Sequence, residues 1–162
     1  MLSTISKKLT TWDHASLQIQ RWQASGEQVV FTNGCFDLIH YGHIAYLAAA
    51  RALGDHLVVG LNSADSVRRL KGQHRPINDE LTRQYTLASF EFVDLVVIFE
   101  EDTPHELIQR LLPDILVKGG DYNPENIVGA DLVLGKGGKV LTLPFVDGYS
   151  TTNVEEKIKN QR

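Results

Sequence analysis

The stretch from Val29 to His43, VVFTNGCFDLIHYGH, constrains this chain more than any other, because it packs a strand, a loop and a helix start into fifteen residues. Val29, Val30 and Phe31 read as a buried strand, and Thr32-Asn33-Gly34 ends it with turn-forming residues. A helix is expected to start near Gly42. The Ala- and Leu-rich run from His43 to Leu53 continues it, with Gly54 placed for a left-handed cap. The first amides of a helix lack partners and its N-terminal end is positive, so an anion is favoured there. His40 and His43 flank that point. In a helical turn a spacing of three puts both imidazoles on one side. Gly34 lets a ligand approach the backbone, so the pattern suits a phosphate chain better than a hydrocarbon.

The remaining chain alternates strands and helices. Residues 1–27 read as a polar N-terminal extension, loose to about residue 11, with a helix over Asp13 to Ala24 ending near Gly26; residues 28–162 read as one domain. Further strands are expected at His56 to Leu61, Leu95 to Phe99, Ile115 to Lys118 and Val140 to Leu143. Asn62-Ser63 closes the second strand. Asn78 is expected to cap a helix after an exposed loop at Gly72 to Pro76, and Thr103 to cap another that runs to about Leu112. Ser150-Thr151-Thr152 precedes a charged terminal helix. These elements predict an α/β fold: a Rossmann-like, open, mostly parallel five-stranded sheet with helices on both faces.

In such sheets ligands lie beyond the carboxyl ends of the strands. The expected site therefore gathers Thr32, Asn33, Gly34, Cys35, Phe36, His40, Gly42 and His43 after the first strand. Asn62 and Lys71 follow the second, Lys118, Gly119 and Asp121 the fourth, and Ser150, Thr151 and Thr152 the fifth.

Composition narrows the partners. At 162 residues with 43% hydrophobic and 22% charged residues, the chain can bury a full core, and a net charge of −4 argues against a general nucleic-acid binder. Arg68, Arg69, Lys71, Arg75 and Arg83 nevertheless form a basic island against Asp79 and Glu80. Taken alone, such an island is also what a solvated face looks like. One cysteine, Cys35, excludes an internal disulfide; the first residues, MLSTISKKLTTWDH, lack the apolar core of a signal peptide, no run approaches membrane length, and a cytoplasmic protein is expected. A His-x-x-His pair alone would also fit a metal, with Asp37 as a further oxygen, but no Cys/His cluster has zinc-site spacing and no metal site is expected in the protein. Neither a dinucleotide-binding nor a Walker glycine motif appears.

His40-Tyr41-Gly42-His43 after Asn-Gly-Cys-Phe-Asp resembles the HxGH signature of the small nucleotidyltransferases. Lys71-Gly72, Arg75-Pro76, Arg83, Leu116 to Tyr122 and Gly148 to Thr152 follow in the order of the adenylyltransferase half of bacterial bifunctional heptose enzymes, over roughly residues 28–158. The resemblance implies transfer of AMP from MgATP to D-glycero-β-D-manno-heptose 1-phosphate, giving ADP-heptose and pyrophosphate for lipopolysaccharide core biosynthesis. It implies catalytic roles for His40, His43 and Lys71, with Arg83 on the triphosphate, Ser150 to Thr152 as its cradle, and Asp121 near a hydroxyl or Mg²⁺. Arg75 is left undecided. The related glycerol-phosphate cytidylyltransferases carry Arg where this chain has Phe145, which favours the heptose branch over a CTP enzyme acting on glycerol 3-phosphate or an aminoalcohol phosphate. A nucleotide-binding sensor is the non-enzyme alternative. The chain is too short to contain a kinase half as well, so a separate heptose kinase is expected upstream. The sequence leaves open a homodimer or higher oligomer.

Overall fold

The computed structural model describes residues 1–161; residue 162, the last of the expected domain, lies outside them. The strands are β1 (Leu9–Thr10), β2 (Val29–Gly34), β3 (His56–Asn62), β4 (Leu95–Phe99), β5 (Ile115–Gly119) and β6 (Lys139–Leu143). All neighbours pair parallel, in the order β1-β4-β3-β2-β5-β6. The helices are α1 (Leu2–Ser6), α2 (Trp12–Ala24), α3 (Tyr41–Arg51), α4 (Ala64–Lys71), α5 (Glu80–Ser89), α6 (His105–Leu111), α7 (Ala130–Gly135) and α8 (Thr151–Lys159). No helix is long and apolar enough to cross a membrane among the described residues.

The strands read as continuous apolar runs because both faces are covered, and alternate side chains feed two cores. Val29, Phe31, Val58, Val97 and Leu116 pack with Ala15 and Ile19 of α2, Leu107 and Ile108 of α6 and Val133 of α7. Val30, Leu57, Val59, Val96 and Val117 face Leu47 and Ala50 of α3 and Leu87 and Ala88 of α5. From β2 the chain builds outward through β3 to β4, then crosses back to place β5 on the other side of β2. The sheet therefore reverses between β2 and β5, and their carboxyl ends, Gly34 and Gly119, flank the crevice.

Five of the six strands coincide with the sequence reading to within a few residues. The sixth corrects the expectation of a loose N-terminus: Leu2–Ser6 is helical, and Leu9 and Thr10 add an edge strand beside Val96 and Val97 of β4. Two residues are too few to show a period. Gly54 also departs from its expected role, because α3 ends at Ala52 in the right-handed region. A Cβ at Gly54 would lie 2.8 Å from Val30 Cγ2, so glycine allows close packing there. The cap of α5 is Asp79, whose carboxylate accepts from the Thr82 amide at 2.6 Å, and not Asn78. Pro104 occupies the N-cap of α6 in place of Thr103.

Candidate active site

Three local features aim the residues after β2. Gly34 ends the strand where a Cβ would lie 2.9 Å from the Phe36 ring. Phe36 takes a left-handed conformation, φ 43°, which for a non-glycine residue costs about 1 kcal/mol or more and is offset by burial of its ring. His40 is extended, at φ −136° and ψ 171°, and forms the N-cap of α3. Its N–H donates to Nδ1 of His43 at 3.4 Å. The two imidazoles stack with centroids 3.9 Å apart, and Phe36 meets His43 edge-on at 5.5 Å. Burial, reinforced by the neighbouring His40, lowers the His43 pKa to about 4, and burial lowers that of His40. Both rings are therefore neutral at neutral pH, and each can offer an N–H to a phosphoryl oxygen without a fixed cation beside its partner.

Two adjoining clefts open beside this pair. One, of about 580 Å³, is lined by Asn33 to Asp37, His43, Asn62, Lys71, Arg75, Lys118, Thr151 and Thr152. The second, of about 550 Å³, shares Asn33 to Phe36, His43, Lys118 and Thr151 and adds His40, Gly42, Gly119, Ser150 and the aromatic residues Tyr46, Tyr122, Phe145 and Tyr149. His43 stands at their junction. Phe145 is 71% exposed, with its ring against the Gly119-Gly120 backbone.

The loop between α4 and α5 is held by a carboxylate rather than left free. Asp37, 3% exposed, accepts from Arg75 Nε at 2.7 Å and from the amides of Ile77 and Asn78 at 2.7 and 2.8 Å. Burial alone would raise its pKa. The two amides and the guanidinium outweigh that, and the carboxyl is held below its usual range. Asn78 returns its side-chain amide to the Asp37 carbonyl at 2.6 Å. At the other side of the clefts, Ser150 Oγ accepts from the Asn153 amide at 3.0 Å and starts α8 as its cap.

The structure brings His40, His43, Lys71, Asn33, Gly34, Cys35, Phe36, Gly42, Asn62, Lys118, Gly119, Ser150, Thr151 and Thr152 to the cleft walls. Three expected residues stand elsewhere. Thr32 is buried, and its hydroxyl shares a 2.6 Å hydrogen bond with the Tyr46 hydroxyl, which also donates to the Val117 carbonyl at 3.3 Å. Arg83, 1% exposed, donates through Nη1 to the carbonyls of Cys35 and Asn62 at 2.9 and 2.8 Å, tying the ends of β2 and β3 together behind the site. Asp121 is exposed and lines neither cleft.

A family profile described as cytidylyltransferase-like matches residues 31–157. The chain belongs to that family. With its HldE relatives, that membership makes the chain a nucleotidyltransferase enzyme. It is 54% identical over 157 residues to the bifunctional protein HldE of Magnetococcus marinus, covering 97% of this chain and 32% of that protein. It is 62% identical over 136 residues to HldE of Trichlorobacter lovleyi, covering 84% of this chain and 28% of that one. The chain thus spans about a third of the length of these curated relatives. A lipopolysaccharide core biosynthesis protein from Thermoplasma volcanium superposes with a TM-score of 0.60 at 30% identity, covering 77% of this chain and all of that one. Pantothenate synthetase from Thermus thermophilus shares the fold, with a TM-score of 0.61 at 17% identity, covering 94% of this chain and 70% of that one.

For this nucleotidyltransferase the sequence reading passed over Asp37 as a scaffold, Tyr46 as the wall between β2 and β5, and the place of Tyr149 and Phe145 in the lining of the second cleft. The exposed aromatic residues carried a readable signal, since they cluster just before the Ser-Thr-Thr segment. Asp37 and Tyr46 carried none, because their partners lie on other elements.

Proposed function

We propose that this nucleotidyltransferase transfers AMP from ATP to D-glycero-β-D-manno-heptose 1-phosphate, releasing pyrophosphate and forming ADP-heptose for a lipopolysaccharide core. The observation that carries this reading is the stacked His40–His43 pair at the start of α3, opening into clefts that also present Lys71, Lys118, Thr151 and Thr152. A sugar-phosphate oxygen attacks the α-phosphorus, the new P–O bond forms, and the α–β bond breaks to release pyrophosphate. His40 and His43 donate hydrogen bonds to the α-phosphoryl oxygens, where charge must be accommodated as attacking and leaving oxygens share one phosphorus. Lys71, Thr151 and Thr152 hold the outer phosphates, and Arg83 fixes the backbone of Cys35 and Asn62 behind them.

The donor set bears on Mg²⁺. Among the described residues no three His, Cys, Asp or Glu side chains converge, and Asp37 already accepts three hydrogen bonds. The ion fits this site as a companion of the triphosphate, with no protein cage of its own. Support for the sugar comes from the HldE relatives and from the Thermoplasma volcanium protein, described as one of lipopolysaccharide core biosynthesis. The heptose must arrive already phosphorylated, so a kinase reaction precedes this one. A pyrophosphate-release assay with ATP or CTP against a panel of sugar phosphates, glycerol 3-phosphate and aminoalcohol phosphates tests the reading. Release is expected with ATP and a heptose 1-phosphate; a preference for CTP, or no release with any sugar 1-phosphate, would overturn it.

A further inference from the structure

Arg75 joins three parts of the chain that are far apart in sequence. Its Nε lies 2.7 Å from Asp37 after β2, and its Nη1 pairs with Glu155 on α8. All three side chains are largely shielded: Asp37 is 1% exposed, Arg75 20% and Glu155 26% by side chain. Asp37 is fixed in turn by the Ile77 and Asn78 amides. The guanidinium is therefore held at one end by a buried anchor and holds a helix with the other.

That helix needs holding. No residue of α8 is buried, and its half-buried positions Thr151, Val154 and Glu155 form one face at the spacing of three and four. Thr151 and Glu155 lie one turn apart on that face. Fixing Glu155 therefore fixes the rotation of α8 that presents Thr151 to both clefts. The other polar contacts at the start of α8 stay inside its own segment: Ser150 Oγ with the Asn153 amide, and Asn153 Nδ2 with the Gly148 carbonyl.

We propose that Arg75 and Glu155 are positioning residues, which dock the hydroxyl-bearing start of α8 onto the loop between α4 and α5. Lys71 and Thr151 then form opposite walls of a single preorganised triphosphate site. The proposal rests on the reading of Thr151 as a nucleotide ligand, and it assigns Arg75 a role in building the site. Glu155 acts through Thr151 and touches no substrate itself. Preorganisation of this kind lowers the cost of binding without adding a contact.

The test is binding of the non-hydrolysable analogue α,β-methylene-ATP with Mg²⁺, followed by titration calorimetry on the whole chain. The forms compared are the parent, Thr151→Ala, Glu155→Gln, Glu155→Asp and the double variant Thr151→Ala/Glu155→Gln, each with its thermal midpoint. Glu155→Gln is expected to weaken binding about fivefold or more with little change in midpoint, and Glu155→Asp to recover part of the loss. The double variant is expected to bind no more than about twofold worse than Thr151→Ala, since both changes remove one interaction. Losses that multiply in the double variant, or Glu155→Gln binding like the parent while Thr151→Ala does not, would overturn the positioning role alone. Unaltered binding by Thr151→Ala would remove the nucleotide site on α8 and this proposal with it.

Discussion

His40 and His43 lie nearly face to face, ring centroids 3.9 Å apart and 25° from parallel, with the His40 amide donating to His43 Nδ1. Two imidazoles this close cannot both be cationic without strong repulsion, and the depressed His43 pKa of about 4 follows from burial first and from that neighbour second. The pair is thus built as two neutral donors at a helix start.

If that pair meets the α-phosphoryl group, His43→Ala removes a donor where charge is stabilised. Turnover is expected to fall about 10²- to 10³-fold. The far-ultraviolet circular dichroism should stay that of the parent, since the ring faces a cleft. Pyrophosphate release measured beside the spectrum checks both halves, and near-normal turnover would remove His43 from the mechanism.

The same burial makes a stability prediction with a definite sign. His43 has a folded pKa of about 4 against an ordinary value of 6.5, so between these limits the unfolded chain binds more protons. Its contribution is complete above pH 6.5 and is lost progressively as pH falls towards about 4. His40, also shifted down, adds in the same direction. Thermal midpoints followed from pH 7 to pH 4 should decline, and His43→Gln should flatten part of that decline.

Gly42 separates the two histidines, and a Cβ there would lie 3.0 Å from His40 Cε1 and Nδ1 and 3.2 Å from Tyr149 Cβ. Gly42→Ala must move the His40 ring, although alanine suits the helix better than glycine. Lower turnover with an unchanged or higher melting temperature is expected. Activity equal to the parent would show that the ring position is not critical.

Thr32→Val separates scaffold from ligand. The substitution deletes the 2.6 Å hydrogen bond to Tyr46 but leaves that hydroxyl the Val117 carbonyl, so a loss of about 1 kcal/mol is expected in urea unfolding. The KM for ATP should barely move. A large rise in KM at unchanged stability would return Thr32 to the nucleotide.

Asp37→Ala leaves the buried end of Arg75 and two amides without their acceptor, and removing one partner of a buried charge pair costs about 3–5 kcal/mol. Denaturant titration is expected to show a loss of that size, large enough to lower the soluble yield.

Much of the fold was legible in the chain itself. The runs at Val29, His56, Leu95, Ile115 and Lys139 are apolar and β-branched because each strand is covered on both faces, and that demand acts within five to seven consecutive residues. The histidines too were local: the strand that ends at Gly34 and the helix start at Tyr41 fix where positions 40 and 43 must point. Other assignments needed the assembled molecule. Asp37 finds its amide partners some 40 residues on, Arg75 finds Glu155 80 residues away, and Arg83 gives its Nη1 to the carbonyls of Cys35 and Asn62. A buried charged or hydroxyl side chain takes whichever partner the packing brings within about 3 Å, and hydrogen bonding has no sequence period to announce that choice. Hydrophobic spacing therefore determined the sheet and the placement of its loops. Only the tertiary structure decided which polar residues line the clefts and which hold the walls behind them.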